Sequence, residues 1–331
     1  METKRKVQSL GLLRAVAVLM VVLCHFGKAL TKDNIFGHLF NLFYEYGKYG
    51  VQIFFVVSGF IIPLSMDKAK YKIKYYFNFL LKRVLRLHPP YLLALLITLI
   101  LAILASHFKH VPFSETPASI TKSLFYLVAP AENPVFWSLK IEAEYYIFIG
   151  LYFIILSRFT KLTIYISIPL LIFISQTVLI DYIQLFNFII FFLIGTMGYL
   201  IYTKNNSKVL EYVALICLIS SSFYFYEIGA AIASLFTIAV ILFYRGGVPK
   251  AFDFYGEISY SVYLIHFPIG IKLLNLATRH FNTNLYWILF LIANIVVSAL
   301  AFIFWKFVEK PSADLSNKIK YGEKEPKPLP V

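Results

Sequence analysis

Charge is scarce in this sequence. Asp, Glu, Lys and Arg make up 15% of its 331 residues, where a soluble domain carries about a quarter. Acid is the scarcer sign, with 17 Asp and Glu against 31 Lys and Arg. Cysteine is nearly absent. Cys24 and Cys217 lie inside apolar runs without metal-ligand spacing, so they read as buried small hydrophobes and exclude a disulfide framework and a cysteine metal site. No glycine-rich phosphate loop, internal repeat or low-complexity tract occurs. Repeat arrays and loop-cradled nucleotide sites are therefore excluded.

What is present is apolar. The chain is 60% hydrophobic and 18% aromatic, with a mean hydropathy of +0.74. Charge-free runs such as "YLLALLITLILAILAS" match the thickness of a bilayer's hydrocarbon core. The fold class predicted is an all-α, polytopic transmembrane bundle forming one domain over residues 1–311. Residues 312–331, with "YGEKEPKPLP", read as a disordered cytoplasmic tail. The basic "KRK" at 4–6 resembles the start of a signal peptide. No small-residue cleavage pattern follows it, so residues 9–29 read as an uncleaved first span.

Breaks in the apolar runs predict ten spans, at 9–29, 47–65, 88–107, 136–157, 162–180, 183–203, 208–227, 229–245, 255–277 and 284–308. With a cytoplasmic N-terminus, the cytoplasmic segments hold 22 of the 31 basic residues and the outer segments 7. That asymmetry obeys the positive-inside rule and predicts that both termini are cytoplasmic. The excess of basic residues is accounted for by lipid headgroups beside helix ends and calls for no nucleic acid.

A few polar residues interrupt these spans. Arg14 and His25 are eleven residues apart, which places them on one helix face about 16 Å apart along the axis. An arginine near a helix end is explained equally by snorkelling to the interface and by a cavity role. A histidine in the outer half of a span favours a functional role, as proton acceptor or hydrogen-bonding group. Lys82, Arg83 and Arg86 sit just before the third span, whose entry Pro89 and Pro90 would set. They fit an interfacial anchor or a phosphate site, because guanidinium groups pair bidentately with phosphate.

In "ENPVFWSLKIEAEYYIF", a helix beginning at Trp137 carries Ser138, Glu142, Tyr145 and Tyr146 on neighbouring faces. Lys140 pairs with Glu144 at i,i+4, which leaves Glu142 as the candidate cavity carboxylate. Ser259, Tyr263 and His266 form a polar stripe on a later span, suited to a site or to helix–helix contacts. Glu309, in "FVEKP", reads as an interfacial charge. No spacing suggests a metal site.

Together these motifs resemble the membrane-bound acyltransferase 3 family over Leu10 to Pro311. The first-helix arginine and histidine match Arg14 and His25, and "FFVVSGF" at 54–60 matches a hallmark containing Ser58. The basic stretch matches Lys82, Arg83, Arg86 and Pro89, although Lys82 stands where arginine is frequent. Trp137, Ser138, Leu139, Glu142 and Tyr145–Tyr146 match a further motif, with Ala143 where many members carry a second acid. "YSVYLIHFPI" at 260–269 and "VEKP" complete the series.

The resemblance implies a multi-pass protein of a bacterial inner or plasma membrane. It implies transfer of an acyl group, most often acetyl from acetyl-CoA, to a hydroxyl of a cell-surface or lipid-linked carbohydrate. His25 would be the general base and Glu142 would orient it. Arg14, Lys82, Arg83 and Arg86 would bind the donor, with Ser58, Trp137, Ser138, Tyr146, Ser259, Tyr263 and His266 in support. No metal is implied, and a homo-oligomer is compatible. The competing reading is a transporter or flippase for a sugar or lipid-linked glycan.

Overall fold

A computed structural model describes residues 9–31, 36–203 and 208–322. Among them there is no strand. The α-helices are α1 (Ser9–Leu30), α2 (Gly37–Gly47), α3 (Gly50–Lys68), α4 (Tyr76–Lys109), α5 (Pro117–Leu124), α6 (Trp137–Arg158), α7 (Thr160–Ile174) and α8 (Leu179–Tyr182). There follow α9 (Leu185–Thr203), α10 (Val209–Phe225), α11 (Ile228–Phe243), α12 (Lys250–Ile265), α13 (Lys272–Ala277), α14 (Tyr286–Phe304) and α15 (Lys310–Asn317). A π-helical turn, His266–Ile271, joins α12 to α13, and another, Trp305–Glu309, joins α14 to α15.

Each of the ten predicted segments carries a helix, although that in 162–180 ends at Ile174. Five helical stretches, Ser9–Leu30, Gly37–Lys68, Ile73–Phe108, Leu185–Thr203 and Thr283–Asn317, are long and apolar enough to cross a membrane. α7, α10 and α11 are shorter apolar helices. α6 has a span's length but carries Lys140, Glu142 and Glu144 in its first turns.

Two apolar cores organise the bundle. One gathers α3, α6, α7, α9, α10 and α11; the other gathers α1, α4, α12 and α14. The outward faces of α4 and α14 leave Leu96, Ile100, Ile103, Ile292, Ile295 and Ile303 exposed, as a lipid-facing surface requires. The "SGF" motif has a packing explanation. A Cβ on Gly59 would lie 2.1 Å from the Phe192 carbonyl oxygen, and one on Gly195 would lie 2.1 Å from that of Val56. α3 and α9 therefore cross at a pair of small residues.

Carbonyls freed by several of the prolines inside helices are met by side chains from elsewhere in the fold. Pro63 cannot donate to the Gly59 carbonyl; Thr196 Oγ1 lies 3.2 Å from it and shares its hydrogen with Phe192 O at 3.0 Å. Pro89 and Pro90 free the carbonyls of Leu85 and Arg86; Ser312 Oγ lies 2.5 and 3.3 Å from them. Pro268 frees Leu264 O, which Asn133 Nδ2 meets at 3.5 Å.

This compensation corrects two expectations. The prolines do not mark the entry of a span at residue 88, because α4 runs through them from Tyr76 and carries the basic cluster on its own surface. Residues 312–322 are not a disordered tail. Ser312 and Ser316 of α15 are buried, and Tyr321 beyond it is buried as well. "KRK" at 4–6 and the remainder of the predicted tail, 323–331, lie outside the described residues.

Candidate functional site

A cavity of about 720 Å³ lies where the two cores meet, walled by α1, α3, α4, α6 and α12 together with Glu309 and Tyr321. α1 contributes Arg14 through its approach to α12: a Cβ on Gly256 would lie 2.4 Å from the Gly11 carbonyl oxygen. α4 contributes the adjacent Lys82 and Arg83 and, one helical turn on, Arg86. Ser58, Ser138, Glu142, Tyr146, Ser259 and Tyr263 line the same space. Ten of the thirteen predicted site residues thus share one cavity; His25, Trp137 and His266 are outside its lining.

Arg83 is the most constrained of the cations. Its side chain is buried, with the guanidinium 5.2 Å from the Phe79 ring centre and 5.6 Å from that of Tyr146. Nη2 donates to Ser65 Oγ at 3.1 Å, and Ser65 Oγ donates to Ile62 O. Tyr321 Oη reaches the same Ser65 Oγ at 3.1 Å. Arg83 Nε is buried without a partner. The ion pairs among the described residues join Lys48 to Glu227, Lys140 to Glu144 and Lys272 to Glu132. None involves Arg14, Arg83 or Arg86. Glu142, Asp253, Glu257 and Glu309 share the lining, but none of them forms an ion pair with the guanidinium groups, whose free donors favour an anionic ligand.

Lys82 is differently employed. Its ammonium donates to Ser316 O at 3.1 Å and Asn317 Oδ1 at 3.2 Å, and it lies 5.9 Å from the Tyr321 ring centre. A cation there caps the carbonyl end of α15. Lys82 therefore contributes its field to the cavity while its hydrogen bonds hold α15.

Glu142 accepts a hydrogen bond from the Tyr146 hydroxyl. The structure brings it to the arginine-lined cavity and gives it no contact with His25. Glu144 behaves as its spacing predicts, lying 3.9 Å from Lys140, and it also accepts from the first N–H of α9, at Leu185. Trp137 packs on Phe55 and Phe188. Glu309 is no interfacial charge: it is buried and accepts from Ser261 N at 3.1 Å and Ser261 Oγ at 2.5 Å.

At the inner end of the cavity, Tyr263 Oη donates to Val135 O. Its single hydrogen is thereby used, so Ser138 Oγ is the donor in the 2.6 Å contact with Tyr263 Oη. Ser259 is buried and turned back onto Gly256 O. Beyond Tyr263 the rings continue away from the cavity. Tyr263 and His266 are 5.9 Å apart, and His266 and His25 are 5.3 Å apart. Arg14 thus lines the cavity, while Tyr263 and His266 stand between the cavity and His25.

Sequence reasoning missed Ser65, Tyr260, Ser312 and Tyr321. Tyr260 donates to Leu87 O at 2.8 Å. The one available signal was proline: a proline within a helix asks which side chain meets the carbonyl four residues back. Comparison with curated proteins and comparison with solved structures each gave no match. A family model described as an acyltransferase domain matches residues 7–303, the stretch that builds nearly all of this bundle and cavity, and the chain belongs to the acyltransferase 3 family.

Proposed function

We propose that this membrane protein moves an acyl group, acetyl in the simplest case, from acyl-CoA at the cytoplasmic face to a carbohydrate hydroxyl. The acceptor would be a cell-surface or lipid-linked glycan, reached from the outer side. The observation that carries the donor assignment is the convergence of Arg14, Arg83 and Arg86 on one cavity without ion-pair partners, with a buried Arg83 whose Nε has no partner.

Arg83, Arg86 and Arg14 supply donors suited to the phosphates of a CoA head group, since planar guanidinium forks fit phosphate oxygens. Lys82 adds charge. The cytoplasmic assignment of this mouth rests on the basic-residue asymmetry across ten spans with both termini inside. When bound, the donor supplies an activated thioester carbonyl. His25 takes the acceptor's hydroxyl proton as that oxygen forms its bond to the carbonyl carbon. It returns the proton to the thiolate released when the C–S bond breaks, a general base and then a general acid. Ser138 and Tyr263, at the cavity's inner end, lie on the route between Arg14 and His25.

The decisive experiment supplies acyl-labelled CoA to purified protein in liposomes with candidate glycans. Transfer of label to glycan is the expected result. Movement of glycan across the bilayer without labelling would instead establish transport and overturn the enzyme reading.

A further inference from the structure

Among the described residues no carboxylate contacts His25; Glu142 is engaged by Tyr146 inside the cavity that Arg14 and Arg83 line. What His25 does meet is the π-helical turn His266–Ile271, an irregularity enriched at functional sites. Two aromatic groups of that turn touch it. Phe267 stands edge-on at 5.2 Å and 83°, and the His266 ring lies at 5.3 Å and 38°.

The protonation pattern of His266 follows from its neighbours. Nδ1 lies 2.8 Å from Tyr263 O and 3.1 Å from Val262 O. Carbonyl oxygens only accept, so Nδ1 carries the hydrogen and donates it. In the neutral imidazole the other nitrogen is then a bare acceptor. That atom, Nε2, is buried with no partner, in a side chain showing no exposed surface. Buried acceptors are nearly always met by a donor. At a ring-centre separation of 5.3 Å, nitrogens turned toward one another come within hydrogen-bond reach.

We propose that His266 is a positioning residue for His25. Its Nε2 accepts a hydrogen bond from one imidazole N–H of His25, reached by a small rotation of the His25 ring. His25 is thereby held in one tautomer, with its other nitrogen bare and turned toward the acceptor hydroxyl. When that nitrogen takes the proton, the bond to His266 becomes charge-assisted and strengthens. His266 stays neutral throughout, its own hydrogen held by two backbone carbonyls. The role is that of the orienting third member of a catalytic triad, performed by a neutral ring. This inference rests on His25 as the base.

The test is nitrogen NMR of ¹⁵N-histidine-labelled protein in nanodiscs, with the His25 signals identified by their loss in His25→Gln. The expected wild-type result is a single His25 tautomer, with scalar coupling between a His25 nitrogen and His266 Nε2. His266→Asn keeps an amide for the Val262 and Tyr263 carbonyls but is too short to reach His25. It should give a tautomer mixture and a kcat lowered by about 10- to 100-fold, with KM for acyl-CoA within about twofold of wild type. His266→Gln, which extends an acceptor toward His25, should restore most of kcat. A wild-type spectrum with both His25 tautomers and no coupling overturns the proposal, even if His266→Asn fails to fold. The His25 assignment fails separately, if His25→Gln retains transfer activity while the coupling in the wild type is present.

Discussion

Arg83 shows how much one side chain can carry. Its charge is visible in the sequence, and so is its one-turn spacing from Arg86; the Ser65 contact and the rings of Phe79 and Tyr146 are not. Arg83→Lys keeps the charge and loses the fork. A charge-assisted hydrogen bond contributes about 1.5–3 kcal/mol, so KM for acyl-CoA should rise about 10- to 100-fold with kcat and the acceptor's KM little changed. Steady-state kinetics with each substrate varied separately measures this, and equal effects on both KM values would reduce Arg83 to a structural anchor. His25→Ala should lower transfer by about 10²- to 10⁴-fold while protein yield and membrane insertion stay at wild-type levels. Substantial residual turnover would remove His25 from the chemistry. Glu142 was legible as a cavity carboxylate; its attachment to Tyr146 in place of His25 was not, because helix spacing says which face a residue occupies and not which neighbour arrives there.

At the scale of elements, the recurring device is a proline whose orphaned carbonyl is met from another helix. Ser312 does this for α4 from more than two hundred residues away and so fixes the part of α4 that presents Arg83 and Arg86. Ser312→Ala should destabilise the protein by about 1–3 kcal/mol, the penalty of unmet buried polar groups, seen as a lowered midpoint of thermal unfolding in detergent. Restoring the helix's own donors with Pro89→Ala and Pro90→Ala should make the same Ser312→Ala change nearly neutral, a coupling read from a mutant cycle. Additive effects would show that Ser312 acts elsewhere. Gly59→Ala places a methyl 2.1 Å from the Phe192 carbonyl oxygen, which backbone cannot yield cheaply. Folded protein recovered by size exclusion should fall sharply.

The whole molecule divides into two cores with the cavity at their junction. Arg14, Arg83 and Glu309, although distant in sequence, line one cavity. Ten spans and cytoplasmic termini predict that single cysteines replacing Ser65 or Lys320 label from the cytoplasmic side and those replacing Ser119 or Thr283 from the outer side, after Cys24 and Cys217 are removed. Labelling of Ser65 and Ser119 positions from the same side would overturn the topology.

The sequence by itself determined the helical class, the positions of the ten apolar segments and which residue types interrupt them. Those properties are local: a helix needs only its own backbone bonds, and its faces repeat every 3.6 residues. It also determined that Arg14 and His25 share a face. Only the tertiary structure decided that Arg14 opens into the cavity while His25 meets His266 beyond Tyr263. It likewise decided that Glu309 is buried on Ser261 and that α15 returns to cap the prolines of α4. These outcomes depend on which helices pack together, since a buried carbonyl or guanidinium takes its partner from whichever chain segment reaches it.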